Sequence, residues 1–178
     1  MSKQPAADAV TRVALLSADF GAASDEIDAA AAQVFGVNRT DLRILDLVNR
    51  AGSMSAGALA VAAGLSPAAT TTAVQRLVAA GHLVRAVDPA DRRRVVLTLT
   101  DSAVALVDSC YGPLGAATLR LLATMSPTDL ATVEAFLRAG VALPREAAGR
   151  IRTMADSAAR RERGTARPPR ATSGRRWR

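Results

Sequence analysis

Residues 55–100, SAGALAVAAGLSPAATTTAVQRLVAAGHLVRAVDPADRRRVVLTLT, contain the pattern that decides the fold. Two short helical patterns flank the turn Gly64-Leu65-Ser66, and two alternating segments follow at 83–87 and 94–99. The tip between those segments carries four consecutive charges, Asp91-Arg92-Arg93-Arg94. A helix pair followed by a basic hairpin is the layout of a winged helix-turn-helix, whose second helix suits the DNA major groove and whose ribbon suits a narrower groove beside it.

Local signals set the bounds of the two helices. Ser55 is a favoured N-cap for a helix that runs to about residue 63, and Gly64 stands where a left-handed residue closes it. Ser66 caps the next helix, with Pro67 at the first helical position, where its missing N–H costs nothing. We expect this helix to run to about residue 80 and to end at Gly81.

The second helix has one face that fits a DNA groove. At 100° per residue, Thr70, Ala73, Val74 and Leu77 should face the core, which leaves Ala68, Thr71, Thr72, Gln75 and Arg76 outside. Alanine and threonine methyl groups fit thymine methyl groups, Gln75 suits adenine, and Arg76 suits guanine or phosphate. The alternative for this face alone is a solvated helix surface. The charged hairpin that follows favours DNA.

The hairpin tip has two interpretations of its own. Four charged residues in a row at a tip are often only solvated. Directly after a helix-turn-helix, however, a guanidinium at the tip can enter an A·T-rich minor groove, where the potential is most negative. Asp91 could brace one of the arginines through a paired hydrogen bond.

The flanking segments are predicted to be helical, so the fold class is mainly α with a small two-stranded β-wing. A long helix is expected over 7–35 and a second over 39–50, capped by Thr40 and ended by Gly52. A fifth helix starts at Asp101 and should be kinked or interrupted at Gly112-Pro113. A sixth starts at Ser126-Pro127 and should be broken by Pro144, with an arginine-rich helix over 145–162 and disorder after about 163. The first helix carries an apolar stripe made of Val13, Leu16, Phe20, Ala23, Ile27, Ala30 and Val34.

The net charge of +7 belongs to the C-terminal tail. Residues 160–178 contain eight arginines and one glutamate, and the rest of the chain has equal numbers of basic and acidic residues. The tail could be an arm that adds affinity through phosphate contacts, or a solubilising extension. If the tail dominated, the protein would instead be a sequence-independent nucleic-acid-organising protein, which is the rival functional hypothesis.

Other sites are not indicated. The single cysteine, Cys110, excludes an intramolecular disulfide and a multi-cysteine metal site, and its place on an apolar helix side favours core packing over a redox role. His82, the only histidine, has a structural or phosphate-proximal role in this interpretation. No phosphate loop, metal cluster or catalytic triad spacing is present, so neither an enzyme nor a cofactor or metal site is expected. The N-terminus lacks a signal-peptide pattern and no segment fits a membrane span, so we expect a cytoplasmic protein.

Taken together, these motifs make the chain similar to the MarR family of transcriptional regulators. The resemblance is strong over about 39–104, moderate over 7–38 and 105–143, and absent after that. The Asp-Arg-Arg wing before Leu-Thr-Leu-Thr is fairly specific, whereas the helix-turn-helix alone is not. The matching residues are Leu59-Ala60, Gly64-Leu65-Ser66, Leu77, Gly81, Leu83-Val84, Asp91-Arg92-Arg93 and Leu97-Thr98-Leu99-Thr100.

The resemblance implies a homodimeric repressor that binds a palindromic operator in double-stranded DNA and responds to a small molecule, often aromatic, or to an oxidant. It implies dimerisation regions at 1–38 and 101–143 and a DNA-binding lobe at 39–100. Residues 144–178, which the resemblance does not cover, are assigned by composition to an arginine-rich extension. The family's oxidant sensors carry their cysteine in the first helix, where this chain has none. Two departures from the family are Thr72, where arginine is common, and Ala103, where glycine is common. The DNA-binding positions carried over are Ala68, Ala69, Thr71, Thr72, Gln75, Arg76, Asp91, Arg92 and Arg93.

Overall fold

The structure, a computed structural model, describes residues 4–88, 91–92 and 94–165. These residues form six helices and one two-stranded sheet. In chain order the elements are α1 (Gln4–Phe35), α2 (Arg39–Ala51), α3 (Ala56–Ala63), α4 (Pro67–Ala79), β1 (Leu83–Val87), β2 (Val95–Leu99), α5 (Asp101–Leu122) and α6 (Pro127–Thr165). The mainly helical fold with a small β-wing is therefore confirmed. The chain divides into two compact units, Met1–Ala117 and Thr118–Arg178.

The helix caps in the first unit agree with the sequence signals except at one position. Ser55 and Ser66 accept hydrogen bonds from the backbone N–H groups of Ala58 and Ala69, each at 3.2 Å, and Gly64 ends α3 in the left-handed region at φ +67°. The prediction that Thr40 caps α2 is wrong. Asn38 is the cap, because its Oδ1 accepts from the backbone N–H of Asp41 at 2.9 Å and α2 begins one residue later.

The wing is an antiparallel hairpin with an unexpected third contact. β1 pairs with β2 in the register Leu83 to Leu99 and Val87 to Val95. Met54, in the connection between α2 and α3, adds an isolated bridge to β2: its N–H donates to the Leu97 carbonyl at 3.0 Å and its own carbonyl accepts from Leu97 at 2.7 Å. A single bridging residue has no alternation, so the sequence pattern did not predict it. The bridge ties the base of the wing to the helical part of the lobe.

One hydrophobic core holds α2, α3, α4 and the wing together. Fully buried apolar side chains from these elements and from the start of α5 meet there, and the last turn of α1 joins them. The most deeply buried of them are Ile44, Leu45, Val48, Leu59, Leu77, Leu83 and Ala103. This core positions one face of α4 inward and leaves its other face to solvent.

Helix α1 has two apolar faces, and the described residues of the first unit cover only one of them. Ala31, Ala32 and Phe35 are buried in the lobe core. The predicted stripe lies on another side: Leu16 is 64% exposed, Phe20 70% and Val34 60%. A stripe left open to solvent over several turns indicates a further packing partner.

The predicted helix interruptions at Pro113 and Pro144 are wrong, whereas the alternative of a kink at Gly112-Pro113 stays a prediction. Pro113 lies inside α5, which runs without interruption to Leu122. Pro144 lies inside α6, which continues to Thr165 as one 39-residue helix, so the separate helix at 145–162 is part of it. A proline removes one backbone hydrogen bond at a cost of about 3 kcal/mol. Helix-favouring residues such as Leu143 and Glu146 offset that cost around Pro144, whereas Gly112 and Gly115 add to it around Pro113. The predicted disorder after about residue 163 falls mostly on residues 166–178, outside those described.

Candidate nucleic-acid interface

Helix α4 presents two opposite faces, as its periodicity predicts. Thr70, Ala73, Val74 and Leu77 are buried at successive spacings of three, one and three residues. The opposite face is solvent-exposed and includes every α4 residue that the sequence assigned to DNA: Ala68, Ala69, Thr71, Thr72, Gln75 and Arg76. The chemical character of this face is mostly methyl groups, with one amide and one guanidinium.

The hydroxyl groups of the α4 threonines are bonded to the helix itself. Thr71 Oγ1 donates to the Pro67 carbonyl at 2.9 Å, and Thr72 Oγ1 donates to the Ala68 carbonyl at 3.1 Å. The buried Thr70 makes the same bond to Ser66 at 3.0 Å. These bonds to the carbonyl four residues earlier use the only proton each hydroxyl has. What remains on the exposed side is a methyl group and oxygen lone pairs.

Arg76 is held by a buried carboxylate. Its Nε and one terminal nitrogen donate to the two Asp41 oxygens, both at 2.6 Å, in a bidentate pair that links α4 to the start of α2. The Asp41 side chain is 1% exposed and the Arg76 side chain 49%. The hydrogen bonds and charge of Asp41 raise the pKa of Arg76, and Asn38 Nδ2 donates a further bond to Asp41 at 3.0 Å.

Asp41 is a site residue that was not predicted from the sequence. A usable signal was present, because Asp41 occupies the inward stripe of α2 with Ile44, Leu45 and Val48 at spacings of three, one and three residues. A charged residue on an apolar stripe needs a buried partner, since an isolated charge is costly to bury. The partner lies 35 residues away, and α4 offers only one charged side chain, Arg76.

The wing tip closes through backbone hydrogen bonds. The N–H of Asp88 donates to the Arg94 carbonyl at 2.9 Å, and the N–H of Arg94 donates to the Asp91 carbonyl at 2.8 Å. Arg92 and Arg94 are exposed, and Asp91 is half-buried. Arg93, the residue to which the resemblance assigns the minor-groove contact, lies outside the described residues. The tip of the hairpin that follows α4 therefore exposes the basic side chains of Arg92 and Arg94.

His82 lies at the junction between α4 and the wing, and its side chain bonds this junction to the end of α1. Its Nε2 donates to the Phe35 carbonyl at 2.9 Å, and its ring lies 5.4 Å from the Phe35 ring, centre to centre. Its backbone N–H donates to the Leu77 carbonyl at 2.9 Å, with Gly81 in the left-handed region before it. These contacts give His82 a structural role, which is one of the two predicted for it.

A cavity of about 750 Å³ opens between α1, α2 and α5 in the first unit. Tyr111 stands on its wall, and the Tyr111 hydroxyl donates to Asp28 Oδ1 at 2.9 Å. Partial burial and the nearby Asp28 carboxylate raise the pKa of Tyr111. Arg50 pairs with Asp46 at 2.7 Å, and Arg39 pairs with Asp25. Cys110, beside Tyr111, is half-buried against the core, which agrees with the packing role that its sequence position favoured.

The described residues contain neither a metal-binding cluster nor a single membrane-spanning helix. No cluster of three or more histidine, cysteine or acidic side chains there could hold a metal ion. No single helix within 4–165 is long and apolar enough to cross a membrane; α3 and α4, bent by 109°, meet such a test only as a pair and only by length and composition.

Comparison with known proteins agrees with this geometry. A sequence profile of the MarR family matches residues 35–94. The chain is 37% identical over 108 residues to YcgE of Bacillus subtilis, described as an uncharacterized HTH-type transcriptional regulator, and the match covers 61% of this chain and 70% of YcgE.

Solved structures give the same result for the fold. The crystal structure of RV1404 from Mycobacterium tuberculosis is 26% identical, has a TM-score of 0.52 and covers 75% of this chain and 93% of its own. A mutant of MepR from a multidrug resistant S. aureus clinical isolate, 18% identical, has a TM-score of 0.55 and covers 71% and 95%. The second likeness concerns the fold alone.

Proposed function

Since this chain belongs to the MarR family of transcriptional regulators, which are not enzymes, we propose that it is a ligand-responsive repressor that binds a palindromic operator as a homodimer. One observation carries the DNA-binding part of the proposal. The exposed face of α4 lies opposite its buried face, and His82, hydrogen-bonded to Phe35 and Leu77, stands at the junction between α4 and a basic wing. This is the arrangement in which a helix and a ribbon meet neighbouring grooves.

The homodimer is supported by apolar side chains that are exposed among the described residues of each unit. In the first unit, Leu16 and Phe20 of α1 are mostly exposed. In the second unit, Leu119, Phe136 and Leu137 are exposed on α5 and α6. Large apolar side chains grouped along helices are typical of a surface that another protein covers. We assign residues 1–38 and 101–143 to dimerisation, 39–100 to the DNA-binding lobe and 144–178 to an arginine-rich extension.

The effector site that we propose is the cavity between α1, α2 and α5. Its volume suits a small molecule, and it combines aromatic walls from Phe35 and Tyr111 with charged groups from α1 and α2. A small aromatic compound fits this lining. A ligand there would contact α2, which carries the Asp41 partner of Arg76, so its binding could shift the DNA-binding lobe.

Footprinting of the DNA immediately upstream of the protein's own gene tests the proposal. We expect one protected palindromic segment, bound at least about a thousandfold more tightly than scrambled DNA of the same composition. Equal affinity for cognate and scrambled DNA would favour the rival, a sequence-independent nucleic-acid-organising protein that uses its basic tail. A small aromatic effector should release the protected segment.

A further inference from the structure

We infer that Thr71 and Thr72 of α4 select A·T base pairs through thymine methyl groups, so that the operator half-site has thymines beneath the first two turns of this helix. The inference rests on the proposed function and names the base pairs that the same surface reads. Both side chains are exposed, and both hydroxyl protons are already donated to the helix backbone, at 2.9 and 3.1 Å.

The remaining groups determine which bases fit. Each threonine offers a methyl group and an oxygen that can only accept while its proton stays on the backbone. Ala68 and Ala69 add two more exposed methyl groups beside them. An A·T pair presents in the major groove a thymine methyl group and an adenine N6 donor, which match a methyl group and an acceptor.

A G·C pair matches this surface less well. Both kinds of pair present two acceptors and one amino donor in the major groove, so an accepting threonine oxygen does not separate them; only the A·T pair adds a methyl group, that of thymine. Against the methyl groups of Thr71 and Thr72, a cytosine leaves the place of the thymine methyl group empty, so the apolar contact is lost. Among the α4 side chains, only Gln75 and Arg76 can donate hydrogen bonds outward, and both lie in the second half of the helix. The first two turns therefore discriminate against G·C.

The experiment begins with the full-length protein and a pool of random-sequence duplexes. Sequences that bind are selected, and a consensus duplex is synthesised. Each thymine is then replaced in turn by deoxyuridine, which removes the 5-methyl group and leaves base pairing intact. At the positions beneath α4 we expect each replacement to weaken binding about fourfold, the effect of removing one buried methyl group.

Paired variants separate the methyl group from the hydroxyl group. Thr71→Ser with Thr72→Ser removes both methyl groups and keeps both hydroxyls, so binding should weaken and the uracil effect should disappear. Thr71→Val with Thr72→Val keeps a methyl group and removes the hydroxyl, so the uracil effect should persist. Thr132→Ser is the matched control, because Thr132 is an exposed helical threonine with the same backbone bond, at 3.0 Å to Thr128.

The outcomes distinguish failure of the proposed function from failure of this inference. A pool that yields no enriched sequence would overturn the proposed function itself. Enriched duplexes with G·C pairs beneath α4, or duplexes insensitive to uracil, would overturn this inference and leave the regulator assignment intact. A serine double variant that folds, as its circular dichroism shows, yet keeps full uracil sensitivity would also overturn the role given to the two threonines.

Discussion

At the scale of single residues, Tyr111 links α5 to α1 through its bond to Asp28. Burial and the Asp28 carboxylate raise the pKa of Tyr111 above the ordinary value of about 10. A group with a raised folded pKa contributes stability that is fully present below its unfolded pKa and is lost as the pH rises through the folded pKa. Ionised Tyr111 would face Asp28 as a second negative charge.

We therefore predict that Tyr111→Phe lowers the free energy of unfolding by about 1 kcal/mol near neutral pH, since one hydrogen bond is removed. The difference between wild type and variant should shrink as the pH rises above about 10, because only the wild type carries the phenol. Urea unfolding at several pH values measures both. A difference that stays constant through the alkaline range would show that Tyr111 does not titrate as this bond requires.

The wing arginine gives a second prediction at this scale. Arg93→Ala should weaken operator binding by about 1–3 kcal/mol and leave the fold intact, because it removes the side chain that we propose to enter the groove. Asp91→Ala should have a smaller effect in the same direction, because the arginine would be less well oriented. Fluorescence anisotropy at fixed salt measures both variants, with the thermal melt as control for folding. Wild-type affinity for Arg93→Ala would rule out the proposed wing interaction.

At the scale of elements, α6 contains a proline whose replacement should stabilise it. Pro144 removes a backbone hydrogen bond in the interior of a 39-residue helix. Pro144→Ala should stabilise the helix around residue 144 by up to about 3 kcal/mol and slow hydrogen exchange of its neighbours. Pro67→Ala is the matched control, because Pro67 occupies the first turn of α4, where proline carries no such cost. Equal effects of the two substitutions would contradict this account.

At the scale of the whole molecule, a point substitution in α1 tests the proposed dimer more specifically than deletion of α1. Ala31, Ala32 and Phe35 of that helix belong to the lobe core, so deletion of residues 1–35 would damage the lobe as well. Phe20→Glu instead places a charge on the exposed stripe. We expect it to raise the dimer dissociation constant at least about tenfold, since an unpaired charge would be buried on association.

Sedimentation at micromolar concentration measures the assembly of this variant. Val61→Glu serves as the control, because Val61 is also an apolar residue, 85% exposed, but lies on α3 outside the proposed dimerisation regions. A Phe20→Glu protein that sediments like wild type would place the dimer interface elsewhere.

The basic tail gives the last prediction. Truncation after Ala159 removes the residues that carry the net charge and leaves the lobe sequence unchanged. If the tail binds phosphates, the slope of log affinity against log salt should fall by roughly 0.9 for each phosphate that the shortened protein no longer neutralises. The ratio of cognate to scrambled affinity should hold or rise, because binding to phosphates carries no sequence information. Loss of all cognate binding with an intact fold would make the tail the main binding element.

The sequence by itself determined the helix-turn-helix and its wing. Ser55, Gly64, Ser66 and Pro67 act within three or four residues along the chain, and the two faces of α4 follow from helical periodicity. Such signals act between residues that are close in the sequence and need no tertiary contact, so they can be recognised from the sequence alone. The resemblance to the MarR family rested on the same local motifs.

Only the tertiary structure decided which distant groups meet. Asp41 and Arg76 are 35 residues apart, Asp28 and Tyr111 are 83 apart, and the Met54 bridge to Leu97 has no periodic signal. In the tertiary structure the Arg76 guanidinium, which the sequence assigned to DNA binding, is paired with the buried Asp41 carboxylate. The physical reason is that an ion pair or a hydrogen bond depends on distance in space, and packing of the common core, rather than chain order, sets that distance.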